Sequence, residues 1–229
     1  MENSFDKLID NNTLKWLPWV GDNYYSVPAE QRLLILGESH YYENTKESID
    51  KHNSVGFTKR AIQEFAINRD YYQIKIFANL HRVLFRNDSF KTHKFWNLVS
   101  FYNFIQRPML TNQGRPTVED FRNGWKSFFE VITLLKPRNC LFIGTTSIYT
   151  LSEMIQNTSF SIVDQKWEPK IGNTQPKSVI IKDMENNQIN LIFIRHTSKM
   201  FSWSRWNDYL MKVIPSQLNW LEDNINQNN

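Results

Sequence analysis

The residues best suited to chemistry lie in four polar clusters, each placed directly after a short apolar run. The clusters are residues 37–41 (GESHY), Asn103 with Gln106 and Arg107, residues 144–147 (GTTS) and residues 195–198 (RHTS). The apolar runs before them have the length and composition of buried strands. Because ligands of open α/β sheets bind beyond the carboxyl ends of the strands, the sequence predicts that the clusters face one cleft.

Three titratable side chains in these clusters are candidates for acid–base chemistry. Glu38 and His40 are a carboxylate and an imidazole one residue apart in the first cluster. Such a pair can supply a general base, bind a metal ion, or only cap a following helix. His196 ends an apolar run, where it could serve the site or be a buried core histidine. The residue types alone leave these alternatives open.

Asn103 and Phe57 are the candidates for holding a ligand. Asn103 is an amide inside an aromatic strand (SFYNF), and burying it without a partner costs about 1–3 kcal/mol. The partner could be the edge of a ligand or neighbouring backbone. Phe57 follows Gly56 at the start of a predicted helix, where it could stack on a ligand or anchor the core.

The elements that must position these residues alternate along the chain. Predicted strands cover residues 32–36, 97–105, 139–143, 179–182 and 189–194. Predicted helices cover residues 57–67, 71–85, 118–135 and 148–155, and a last helix ends before Pro215. Thr117 and Asp120 have the spacing of a capping box, and residues 185–187 predict a turn. This alternation predicts an α/β fold, a three-layer α/β/α sandwich around a mostly parallel sheet of four to five strands.

Composition narrows the class of protein. The chain has 229 residues, 41% hydrophobic and 22% charged, which excludes a disordered chain and predicts a single domain. Its core should span about residues 16–214, with a polar tail at about residues 222–229. One cysteine, Cys140, excludes an internal disulfide and a cysteine-ligated cluster.

Charge and targeting signals point to the compartment and the partner. The net charge is +4 with an isoelectric point near 9.0, which permits a nucleic-acid partner without requiring one. No apolar run approaches the roughly 18–20 residues that cross a bilayer. The first dozen residues carry Glu2, Asp6 and Asp10 and no apolar stretch. We therefore expect no signal peptide, no membrane association and a cytoplasmic protein.

The order of the motifs resembles the uracil-DNA glycosylase superfamily. The resembling segments run from WLPWVG at residue 16 to the last helix near residue 214: LILGESHYY, GFTKRA, SFYNFIQ, LLKPRNCLFIGTTS and IRHTSKMFSW. They look most like a poorly characterised bacterial branch with WVG, GESHY and FSWxRW-type segments. The chain departs from the family where Ser39 and His40 replace an Ala-Pro pair and Thr197 replaces the proline of the last motif. Its single cysteine separates it from the cluster-bearing branches.

The resemblance implies an enzyme that flips uracil or another modified base out of DNA and hydrolyses its N-glycosidic bond. Glu38 would stabilise the cationic sugar or orient water, with His40 assisting, and His196 would donate to the departing base. The base would be held by Asn103, by Phe57 or Tyr41 stacking on its face, and by Gly37.

The resemblance also implies a surface that contacts DNA. Met200 and Phe201 would fill the vacated stack, although they could equally form a hydrophobic staple to the last helix. The groups expected at phosphates are Ser147 or its neighbour Thr146, Arg195, Ser198, Lys199 and Arg205. DNA is then the expected partner of a monomer that needs no metal ion or other cofactor.

Two other functions remain open at the level of sequence. One is a protein of the same fold that binds nucleic acid or a nucleotide without turnover, which the altered first motif favours. The other is a metal-dependent hydrolase that uses Glu38, His40 and His196.

Overall fold

The chain folds around a central β-sheet in a computed structural model that describes residues 14–68, 74–87, 91–110, 114–198 and 200–226. The strands of the described part are β1 (Trp19–Val20), β2 (Leu33–Gly37), β3 (Tyr41–Tyr42), β4 (Ser100–Asn103), β5 (Met109–Leu110), β6 (Asn139–Ile143), β7 (Ser161–Trp167), β8 (Lys177–Lys182) and β9 (Gln188–Ile194). Its α-helices are α1 (Lys46–His52), α2 (Phe57–Ala61), α3 (Lys75–Phe85), α4 (Thr92–Trp96), α5 (Val118–Leu135), α6 (Ile148–Met154), α7 (Trp203–Val213) and α8 (Pro215–Asn226). A π-helical segment, Ile62–Ile67, continues α2.

Within the described residues the main sheet has seven strands in the order β1-β4-β2-β6-β9-β8-β7. The inner strands β4, β2, β6 and β9 are parallel, and the outer strands are antiparallel to their neighbours. The five predicted strands are present, and β1 and β7 raise the number above the predicted four to five. β1 has only two residues, and β7 is largely exposed, so neither has the apolar run that marks a buried strand.

The strand order places a crevice at the middle of the sheet. From β2 the chain crosses first to β4 on one side and later to β6 on the other. Ligands of such sheets bind where the order reverses, outside the carboxyl ends of the strands. That point lies between Gly37 at the end of β2 and Ile143 at the end of β6.

Hydrophobic layers cover both faces of the sheet. Along β6, Cys140 and Phe142 face the layer that contains α5 and α6, whereas Leu141 and Ile143 face α3, α4, α7 and α8. Successive strand residues point to opposite faces, so a strand covered on both sides is apolar throughout. The structure therefore confirms the predicted α/β architecture, with helices around a mostly parallel central sheet.

The ends of the helices follow local sequence signals. α5 begins with the predicted capping box between Thr117 and Asp120. α7 ends at Val213, before Pro215 as predicted, but it is followed by α8, in which Pro215 is the first residue, a position that suits proline. Residues 222–226 belong to α8 and Ile225 is buried, so the predicted polar tail is wrong at those positions. Residues 227–229, like residues 71–73 of the predicted second helix, lie outside the described part.

No helix of the described residues combines the length and the apolar character needed to cross a membrane.

Candidate functional site

The loop after β2 is held against the chain beyond β4. Backbone amides of that chain donate to carbonyl groups of the loop: Phe104 to Gly37 (2.9 Å), Ile105 to Glu38 (2.9 Å) and Met109 to His40 (2.8 Å). These bonds continue the pairing of Gly37 with Asn103, the last residues of two neighbouring parallel strands. The first two polar clusters therefore meet at one edge of the sheet, as predicted.

Asn103 is a largely buried residue whose carboxamide lies beside Gly37. A Cβ atom at position 37 would lie 1.9 Å from the Oδ1 atom of Asn103, so only glycine leaves room for this side chain. Asn103 is 5% exposed, and its carboxamide forms no hydrogen bond with the described residues. The backbone carbonyl is occupied, because it accepts from Nε2 of Gln106 at 2.6 Å. The amide thus keeps its donors and acceptor free for a ligand edge.

Glu38 lies in a narrow cleft between the ends of β2 and β6. The cleft has a volume of about 10 Å³, room for about one water molecule. Gly144 faces the Glu38 carboxylate: a Cβ atom there would lie 3.4 Å from Oε2, and its φ of +145° favours glycine. Burial raises the pKa of the Glu38 carboxyl, and Arg115 opposes the rise. The lining residues are Leu36, Gly37, Glu38, Phe104, Phe121, Phe142, Ile143, Gly144, Thr146 and Ser147.

His196 is held as a neutral donor. The backbone amide of Ser198 donates to Nδ1 of His196 at 3.3 Å, and the Ser198 hydroxyl lies 2.9 Å from the same atom. Because an amide can only donate, Nδ1 is the acceptor and the proton of the neutral ring is on Nε2. Burial lowers the pKa of His196, and the positive charge of Arg115 lowers it further. Nε2 is therefore an N–H donor at neutral pH.

Thr197 fixes the backbone that carries His196. Its side chain is fully buried and its hydroxyl donates to the carbonyl of Ile76 at 3.0 Å. The Thr197 carbonyl accepts from Nδ2 of Asn79 at 2.6 Å. Both partners belong to α3, so side-chain hydrogen bonds hold this loop against that helix.

Arg115 is a member of the site that sequence reasoning missed. It is exposed in the segment before α5, and its charge lowers the pKa of both Glu38 and His196. Both groups therefore lie within electrostatic reach of one guanidinium. The sequence gives no signal for this role, because a single arginine before a capping box is typical of a solvated surface.

Replacing Arg115 with glutamine should move the acid limb of any activity of this site to higher pH. Without the guanidinium the pKa of Glu38 rises further, so the carboxylate is protonated at higher pH. The pKa of His196 rises as well, so its neutral form is lost at higher pH. The measurement is kcat/KM against pH. Arg138→Gln, at the opposite edge of the sheet, is the control, and an unshifted limb in the Arg115 variant would contradict this account.

His40 and Phe57 belong to an aromatic cluster, formed by Trp16, His40, His52 and Phe57. Ring centres are 4.9 Å apart for Trp16 and His40, 4.5 Å for His40 and Phe57, and 4.1 Å for His52 and Phe57. Among the described residues the His40 imidazole forms no hydrogen bond or ion pair, and its Nε2 is buried without a partner. Burial, aided by His52, lowers the pKa of His40 to about 3. His40 and Phe57 therefore pack on each other in this cluster, and both side chains are half-buried.

Met200 and Phe201, the two apolar residues after His196, lie in different environments. The Phe201 ring lies parallel to that of Trp206 in α7, with centres 6.1 Å apart, which is the predicted hydrophobic staple. Met200 is 86% exposed and has a φ of 49°, an uncommon backbone conformation for a residue with a side chain. Met200 alone is thus available as a wedge.

The other predicted DNA contacts occupy different environments. Ser147 is buried in the lining of the cleft, and the Ser198 hydroxyl is engaged with His196. Arg195 is half-buried directly after β9, Arg205 is exposed on α7, and Tyr41 is 39% exposed in β3. Lys199 lies outside the described residues. The structure thus brings Asn103, Glu38 and Ser147 to the sheet edge where His196 follows β9.

A metal-binding cluster is not found in the described part of the chain, where no group of three or more His, Cys, Asp or Glu side chains could hold an ion. Glu38, His40 and His196 therefore do not form such a group. His40 contributes to the aromatic cluster instead.

Comparison of the chain with protein-family models gives no match, and no curated protein matches it significantly.

Proposed function

We propose that this protein is a DNA N-glycosylase of the uracil-DNA glycosylase type, which hydrolyses the bond between a flipped base and its deoxyribose. The observation that carries the proposal is the position of Asn103, a largely buried residue paired with Gly37 next to Glu38, at the edge of the sheet where His196 follows β9. An amide reader, a carboxylate and a neutral imidazole donor are the groups that this reaction needs.

Asn103 supports recognition of a base. A carboxamide offers two donors and an acceptor in one plane, which matches the edge of a pyrimidine. When a base displaces water from the amide, its edge would supply the hydrogen bonds that would otherwise be lost at a cost of about 1–3 kcal/mol. The absence of a Cβ atom at Gly37 gives the Oδ1 atom of Asn103 room in its direction before the base enters. Recognition therefore rests on a preorganised side chain.

Glu38 and His196 support the chemical step. As the N-glycosidic bond breaks, the base leaves with the bonding electron pair and the sugar becomes cationic. The Glu38 carboxylate stabilises that cation and accepts a proton from the water that adds to C1′. The Nε2–H group of His196 donates to the oxygen of the leaving base, where negative charge develops. Preorganised donors of this kind are worth about 3–4 kcal/mol in the transition state.

The test is base release from labelled single- and double-stranded oligonucleotides that carry uracil, hypoxanthine, mismatched thymine or an oxidised base. Hot alkali then cleaves the DNA at abasic sites. We expect release from at least one substrate, and none by the Glu38→Ala, His196→Ala double variant. Binding of DNA without release from any substrate would contradict the proposal and favour the non-catalytic binding protein.

A further inference from the structure

A second cluster of unusual residues lies on the same edge of the sheet as the site. Lys177 begins β8 and pairs with Trp167, the last residue of β7, and with Phe193 near the end of β9. Tyr149 lies in the first turn of α6, directly beyond the GTTS loop. We name Tyr149, Trp167 and Lys177 the aromatic–lysine platform.

The ammonium group of Lys177 is enclosed by aromatic rings. Its Nζ atom lies 3.9 Å from the ring centre of Tyr149 and 4.5 Å from that of Trp167, and it donates to the Tyr149 hydroxyl at 2.7 Å. Lys177 is 3% exposed and forms no ion pair with a described residue. A buried charge without a counter-ion is costly, so an anionic ligand at this position would be stabilised.

The two aromatic rings remain open to solvent. Tyr149 is 71% exposed and Trp167 is 47% exposed, which is unusual for side chains of this size. Arg195, beyond the adjacent strand, and Arg115 also form no ion pair with the described residues. The edge therefore combines basic side chains that form no ion pair with exposed aromatic rings. Grooves that bind single-stranded nucleic acid combine the same two features.

We propose that the aromatic–lysine platform binds an unpaired stretch of the DNA strand that carries the target base. Bases of that stretch stack on Trp167 and Tyr149, and Lys177 attracts the backbone phosphates. The inference rests on the proposed function for its choice of DNA and adds a preference for single strands. Bases inside a duplex are stacked on each other and cannot lie on these rings.

The test is the affinity for a short fluorescein-labelled oligothymidylate, measured by anisotropy, and for a blunt duplex of the same length. The wild type should bind the single strand at least about tenfold more tightly than the duplex. Trp167→Ala and Tyr149→Ala should each weaken single-strand binding by about tenfold. Lys177→Gln should reduce the slope of log affinity against log salt by about 0.7.

Tyr25→Ala is the matched control. Tyr25 is 43% exposed and its ring lies 5.7 Å from the Arg32 guanidinium, but it precedes β2 at the opposite edge of the sheet. This variant should bind as the wild type does. Trp167→Ala and Tyr149→Ala remove exposed rings, and thermal unfolding verifies their folding. Unchanged binding by both, or equal affinity for duplex and single strand, would overturn the inference.

The outcome is independent of base excision, because oligothymidylate contains no modified base. Loss of binding in the platform variants of a protein that releases no base would support the platform and contradict the glycosylase. Base release, with no effect of the platform variants on binding, would support the glycosylase and contradict the platform.

Discussion

Replacing Glu38 with glutamine is expected to slow base release by about 10²–10⁴-fold, the usual contribution of a carboxylate in acid–base catalysis. Glutamine keeps the shape of the side chain but cannot carry negative charge toward the cationic sugar or accept a proton from water. Glu38 lies in a cleft with room for about one water molecule, so a proton acceptor from solvent has little access to replace the carboxylate. The measurement is the single-turnover rate on the substrate that the oligonucleotide panel identifies.

Glu43→Gln is the control for this experiment. Glu43 is exposed five residues further along the chain, and its replacement should leave the rate within about twofold. DNA affinity should be similar in the wild type and both variants. A Glu38→Gln protein that retains the wild-type rate would show that the carboxylate is not used in the reaction.

Replacing His40 with phenylalanine is expected to make the protein more resistant to acid. The pKa of His40 is about 3 in the folded protein, against an ordinary value of 6.5. Below the ordinary value the unfolded chain takes up a proton that the folded protein refuses, so stability falls as pH decreases from 6.5 toward 3. At about 1.4 kcal/mol per pKa unit, the loss between about pH 7 and pH 4 is roughly 3 kcal/mol. Phenylalanine has no titrating group, so the His40→Phe variant should not lose this stability in acid.

Urea unfolding of the wild type and of His40→Phe near neutral pH and in mild acid measures the effect. The two should have similar free energies of unfolding at neutral pH, because phenylalanine suits an aromatic cluster and removes an unpartnered nitrogen. His93→Phe, at an exposed position of α4, is the control and should lose stability in acid as the wild type does. An equal acid loss in His40→Phe would show that His40 is not held neutral.

The strand ends were predictable from sequence, because an apolar run of strand length followed by polar residues has few other interpretations. The pairing of Gly37 with Asn103 and the cleft beside Gly144 follow from that pattern and from the geometry of parallel sheets. The capping box of α5 was predictable for the same reason, since its signal is local.

The direction of loop side chains was not predictable. Glu38 and His40 are separated by one residue and were expected to act together, yet Glu38 lies in the cleft and His40 packs on Trp16. Outside a regular strand no periodicity relates side chains at this spacing. Arg115 and Trp167 were missed because their roles come from tertiary contacts, and neither stands in a distinctive local pattern.

The loop that carries His196 is held by long-range hydrogen bonds. Thr197 donates to the carbonyl of Ile76 and its own carbonyl accepts from Asn79. Only the structure reveals these bonds, since the partners are more than a hundred residues away along the chain.

The central claim is that water adds to C1′ of a deoxyribose while the base leaves intact. The most direct test is mass spectrometry of the products formed in ¹⁸O-labelled water from the substrate that the panel identifies. The account predicts a free base without label and an abasic strand that is intact and has no ¹⁸O in its phosphate groups. A strand cleaved with ¹⁸O in a phosphate group, or a base released with ¹⁸O, would contradict it.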